Sequence, residues 1–163
     1  MTEEVQGMDG IATTSRPSGN NLFMGLPQYL DKLPGMNDNP FKDVRVRLAA
    51  AHAVDMDGII EGILFGQGVR YTTTTPGSPA HDPSIEPYAY DPDKSKELLA
   101  EAGYPNGFDV NCYNLITPRE PNIKEYGEAF FAYLSQVGIR CKVIGEEYSC
   151  LLYTSDAADE RLS

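Results

Sequence analysis

The sequence predicts an α/β fold, and three observations carry that prediction. A helix signature from Tyr90 to Gly103 has its cap, first-turn and stop residues in order. Two segments, Phe108–Leu115 and Ile139–Ile144, alternate in polarity as strands do. Between them, Asn122–Val137 carries an apolar stripe of helical period. Strand, helix and strand within roughly forty residues imply a right-handed βαβ unit with its two strands parallel.

Residues 1–20 are polar, carry Gly7, Gly10, Pro17 and Gly19, and read as irregular or as strand remnants lacking partners. Asn21–Leu26 is a short apolar run between turn formers and a buried-strand candidate; Leu30–Pro40 is a loop. From Asp43 the pattern becomes helical, with Val44, Leu48, Ala51 and Val54 recurring at three- and four-residue intervals as the expected inward face. Asp55 then caps a second helix by accepting from the backbone N–H of Asp57 or Gly58; Ile59, Ile60, Ile63 and Leu64 face inward, and Gly66 ends it.

Gly66–Ala89 is a long connection rich in threonine, proline and glycine, with the run Thr72–Thr75 ahead of Pro76 and Gly77. It reads either as a functional loop or as a surface connection with one strand piece at Tyr71–Thr75. Next, Asp91 is the N-cap of a helix with Pro92 at its first position, acids near its start and Gly103 beyond its end. Pro105–Gly107 is a turn into the first strand of the βαβ unit. The helix of that unit places Ile123, Tyr126, Phe130, Leu134 and Val137 on one stripe, and Gly138 stops it.

At 163 residues, 41% hydrophobic and 23% charged, the chain has the make-up of one soluble globular domain. Its 24 acids against 13 lysines and arginines give a net charge of −11, which repels phosphate backbones and anionic lipid, so nucleic acid is excluded as a partner class. No apolar run is long enough to span a membrane. The opening Met1–Val5 carries acids where a secretory signal would carry lysine or arginine, so any signal is expected upstream. Cys112, Cys141 and Cys150 are odd in number and lack metal-type spacing; they read as small apolar fillers, with neither a disulfide framework nor a metal site supported. His52 packs along a helix and His81 sits in a loop, and neither pattern points to a base or a metal ligand. No phosphate-cradling glycine loop, serine elbow or paired-carboxylate motif occurs, and no cofactor is implied.

The segment Cys150–Glu160 back-translates into a sequence that resembles a transposon-end adaptor of short-read sequencing libraries, so residues 150–163 are expected to be non-native; the alternative is a natural acidic terminal helix over Asp156–Leu162. On the adaptor reading the native protein continues past Ser149. The expected organisation is an incomplete leading segment over 1–40, a partial lobe over 41–149 and the adaptor-derived tail.

Three stretches carry a family resemblance: Pro40–Arg47 with Ala53–Asp55, then Tyr90–Phe108, then Val137–Ile139. Together, in this order, they resemble the family 5 extracellular solute-binding proteins across roughly residues 20–149. The resemblance implies a partial C-terminal lobe of a two-lobed periplasmic-binding-protein type II-like fold, one that closes on its ligand at a hinge. It also implies a peptide or other small solute as ligand, ABC transporter permease subunits as partners, and a periplasmic or extracellular location. Membrane contact would come only through the transporter or an anchor. Arg119 matches the position, in the loop between strand and helix of the βαβ unit, where peptide-binding members often carry an arginine; a guanidinium grips a terminal carboxylate through two parallel hydrogen bonds. Glu120 and Pro121 follow where dipeptide binders tend to show an aromatic residue, a departure that counts against dipeptide specificity. Tyr71, Thr73 and Met24 are the remaining candidate ligand contacts. Arg45 and Arg47 are expected to lock the helix layer, with Asp55 and Asp91 as caps. Two other readings stand beside this one: a small α/β enzyme using Cys112 with His52, and a truncated piece without activity of its own.

Overall fold

The computed structural model describes residues 24–72, 76, 78–116 and 122–147. Among them a single 3-10 turn at Pro40–Lys42 leads into α1 (Val44–Ala53) and α2 (Met56–Leu64), followed by α3 (Pro92–Glu101), β1 (Phe108–Ile116), α4 (Ile123–Gln136) and β2 (Ile139–Glu147). Three aspartates start the first three helices by accepting from backbone N–H groups that have no partner within the helix. Asp43 takes the N–H of Arg45 at 2.8 Å, Asp55 that of Gly58 at 2.9 Å and Asp91 that of Lys94 at 2.9 Å. At the far end of α2, Phe65 already has a left-handed φ of 52° and Gly66 follows at 73°, its N–H on the Ile60 carbonyl. The helix therefore ends at Leu64, with Phe65 making the turn one residue ahead of the glycine expected to stop it.

The inward face of α1 differs from the one its apolar spacing suggests. Val44 is 54% exposed, whereas Val46, Ala49, Ala50 and Ala53 are buried. The reason is α3, which lies close enough that only small side chains fit between: the fully buried Ser95 donates its hydroxyl to the Ala49 carbonyl at 2.7 Å. A stripe of alanines met by a serine lets two helix backbones approach, and a scale that ranks residues by hydrophobicity misses it. On α2, Ile59 is buried, and Ile63 and Leu64 pack partly against the core as expected.

β1 and β2 pair in parallel, Phe108 opposite Ile139 through Ile116 opposite Glu147. The strands begin where two glycine backbones meet: Gly107 and Gly138 have φ of 69° and 105°, and Phe108 donates to the Gly138 carbonyl at 3.0 Å. A side chain at Gly107 would overlap that carbonyl. Phe108, Val110 and Asn114 of β1 and Ile139 of β2 are buried on the face covered by α4, while Asp109 and Arg140 pair across the exposed face at 2.7 Å. Edge-to-face contacts join this βαβ unit to the helices before it: Phe41 on Phe108, Tyr104 on Phe108, and Tyr90 on Tyr133.

Two further expectations are corrected. Met24–Leu26, the described part of the strand candidate at 21–26, is irregular; Met24 and Leu26 instead pack partly against the core. With no strand beside it among the described residues, an apolar run of this length is satisfied by burial alone. The cysteines of the sheet are not mere fillers: Cys112 and Cys141 form a disulfide, their Cα atoms 5.4 Å apart. Parallel register brings them together, since Cys141 lies opposite Val110 and Cys112 opposite Val143, which makes them diagonal neighbours on one face. Residues 1–23 and 148–163, with the expectations placed on them, lie outside the described residues, as do Thr73–Thr75.

Candidate functional site

In open parallel sheets, ligands bind outside the carboxyl ends of the strands, so the end of β1 and the start of α4 form the place to build from. Asn114 sits there, 8% exposed, its amide donating to the Lys124 carbonyl at 3.3 Å. The amide packs against α4 at Gly127, where any Cβ would overlap it. The Asn122 side chain makes no cap bond, so the first turn of α4 is held from the strand side by Asn114 rather than by its own N-cap. Sequence reasoning missed this pair. The signal was present in the alternation, which puts Asn114 on the inward face with Val110 and Cys112.

The long connection between α2 and α3 is tied at its base from both sides. Arg70 bonds Asp57 at 2.7 Å and the Tyr88 carbonyl at 2.7 Å, and the Thr72 hydroxyl donates to the Ile85 carbonyl at 3.0 Å. Near the start of α3, the Asp91 N–H donates to the His52 carbonyl at 2.9 Å. The His52 ring holds Nδ1 2.8 Å from the Ala89 carbonyl and contacts the Tyr88 ring edge-on.

Of the four candidate contacts, Met24 and Tyr71 are described, both half-buried, and no hydrogen bond or ring contact joins them. Met24 packs against the hydrophobic core. Thr73 and Arg119 lie outside the described residues. A cavity of about 150 Å³ opens on the exposed face of the sheet, lined by Pro34, Gly35, Met36, Asp109, Asn111 and Lys142 among others, and by none of the four.

The described arginines are all engaged within the protein. Arg45 pairs with Asp43 and donates to the Glu101 carbonyl, while Arg47 donates to the carbonyls of Phe41 and Lys42. Arg70 and Arg140 hold Asp57 and Asp109. The Arg45 and Arg140 side chains, through their hydrogen bonds, keep the Asp43 and Asp109 carboxyls below their ordinary value. Burial, and then the bond to Asp38, pushes the Tyr104 phenol up. The pairing of Cys112 with His52 required by an enzyme reading is not formed: the sulfur is bonded to Cys141 and the imidazole to the Ala89 carbonyl. Among the described residues no group of histidines, cysteines and acids is assembled to hold a metal ion, and no helix is long and apolar enough to cross a membrane.

The model for the middle region of the bacterial extracellular solute-binding proteins, family 5, matches residues 2–161. The chain belongs to that family. Heme-binding protein A of Haemophilus influenzae is 36% identical over 113 residues, covering 68% of this chain and 21% of its own length. The dipeptide-binding protein of Escherichia coli is 31% identical over 131 residues, covering 73% of this chain and 24% of its own. Among solved structures, the ABC transporter-associated periplasmic binding protein DppA of Helicobacter pylori, in complex with peptide STSA, superposes with a TM-score of 0.59 at 34% identity; the match covers 70% of this chain and 21% of that one. HbpA2 of Haemophilus parasuis gives a TM-score of 0.64 at 29% identity, over 71% of this chain and 23% of that one. The chain therefore spans between a fifth and a quarter of these relatives, and its α/β architecture is that of a partial lobe of a periplasmic binding protein.

Proposed function

We propose that this chain is part of the substrate-binding component of an ABC importer, one that captures peptides or similar small solutes outside the cytoplasm and hands them to permease subunits without altering them. The observation that carries this reading is the family match over nearly the whole chain. The names of the relatives, heme-binding and dipeptide-binding among them, span several ligands, and family membership by itself does not choose one. The disulfide supports a location in an oxidising compartment independently of the family.

For the site we propose Arg119 as the anchor for a ligand carboxylate, with Tyr71, Thr73 and Met24 as lesser contacts. Each described arginine is already held by a protein group, which supports an arginine outside the described residues for this role. The test is calorimetry on the full-length receptor with a peptide that binds it and with the same peptide amidated at its C-terminus. Arg119→Met is expected to weaken the acid form roughly 10- to 100-fold while leaving the amide nearly unchanged, because a charge-assisted bidentate contact is lost. Equal affinities of wild type and variant for the acid would remove Arg119 from the site. Recovery of the bound peptide at unchanged mass is expected; a cleaved product would overturn the non-enzymatic reading.

A further inference from the structure

We propose that the Cys112–Cys141 bridge is a maturation staple, closed by exchange with a protein disulfide donor of the cell envelope before α4 settles on the sheet, and that this lobe reaches its final packing only once the bridge is made. Three observations on different elements support it. The two cysteines sit on adjacent parallel strands at a sequence separation of 29, with the whole of α4 between them. Parallel neighbours cannot be joined by a tight turn, so the pairing of β1 with β2 must overcome the closure entropy of that crossover. Both cysteines lie on the face covered by α4, partly buried and packed against the core, so the approach of a protein-sized oxidant to the sulfurs is narrower once the helix is down. Two residues beyond Cys112, Asn114 ties the same strand to α4 at Lys124 and Gly127, so the strand that the bridge fixes is also the one that positions the helix.

The chemistry is two exchanges. The thiolate of one cysteine attacks the donor's disulfide, forming a mixed disulfide and releasing one donor thiolate. The second cysteine's thiolate attacks the mixed disulfide, forming the Cys112–Cys141 bond and expelling the donor's other thiolate. The protein pair loses two electrons and the donor gains them, while the two protons given up by the cysteines go to the donor's thiolates.

The full-length receptor is expressed with export into the periplasm, in a host with and without its envelope disulfide donor, and the isolated protein is alkylated without reductant, digested and mapped. The peptides containing Cys112 and Cys141 are expected linked in the first host and largely alkylated in the second; unlinked peptides from the first host would overturn the proposal, as would equal linkage in both. In the linked protein, dithiothreitol is expected to open the bridge at least tenfold more slowly under native conditions than in denaturant. Equal rates would place the sulfurs on an open surface and refute closure ahead of α4. A Cys112→Ala, Cys141→Ala double variant is expected to shift the unfolding equilibrium several-hundred-fold toward the unfolded chain, roughly the closure entropy of a loop this long. An unchanged equilibrium would end the stapling role even if the bridge forms.

Discussion

Single side chains in this protein are decided by what lies across from them, which is why some were legible in the sequence and others were not. Asp55 and Asp91 could be read as caps because a cap needs only its own following residues. Arg45 and Arg47 were expected to lock the helix layer, and they do so through Asp43, the Glu101 carbonyl and the carbonyls before α1. Alternation places Asn114 on the inward face, but its role could not be read from the strand alone, because it depends on a glycine one element later. That dependence gives a test. Gly127→Ala puts a methyl into the Asn114 amide and is expected to cost about 1–3 kcal/mol by overpacking. Adding Asn114→Ala opens the space that the methyl needs, so the double variant should recover part of the loss. Urea midpoints for the four proteins measure the coupling; strictly additive losses would mean that the two side chains do not share this space.

Among the elements, α3 was the most legible because propensity, capping and stop signals agree over its ten residues. The face of α1 was the least legible: its buried side is alanine, and what buries it is the serine of a helix some forty residues later. The disulfide has the same character, since only the register of two strands separated by a helix reveals that Cys112 and Cys141 are neighbours. The cap of α3 offers an independent check on the local half of this picture. Asp91→Ala removes the bond to the Lys94 N–H and a negative charge at the positive end of the helix, for an expected loss of about 1 kcal/mol. Asp91→Asn retains the acceptor and should lose less than half of that. If both variants lose the same amount by chemical denaturation, the charge alone matters at this end and the cap bond does not.

At the scale of the whole molecule, charge sets two trends that oppose each other as pH falls. With a net charge of −11, the folded chain repels itself at neutral pH, and protonation toward its isoelectric point near 4.5 relieves that repulsion. Against this stand carboxyls whose folded values are depressed: Asp43, held first by its hydrogen bond from the Arg45 side chain, and Asp109, held by Arg140. A depressed folded value means that the contribution is fully present above the ordinary carboxylate value of 3.8 and is lost as pH falls through the lower folded value. The pairs are partly to largely exposed, so water and salt keep each contribution small. Stability is therefore expected to rise modestly from neutral pH toward the isoelectric point and to fall below pH 4, a maximum rather than a plateau. Asp43→Asn separates the two trends, because the amide oxygen still accepts from the Arg45 N–H while the charge is gone. Thermal midpoints across this range should show the variant losing less than the native protein below pH 4 while following it above pH 5. A variant that instead runs parallel to the native protein at every pH would assign the acid loss to the remaining carboxyls and not to the pair that starts α1.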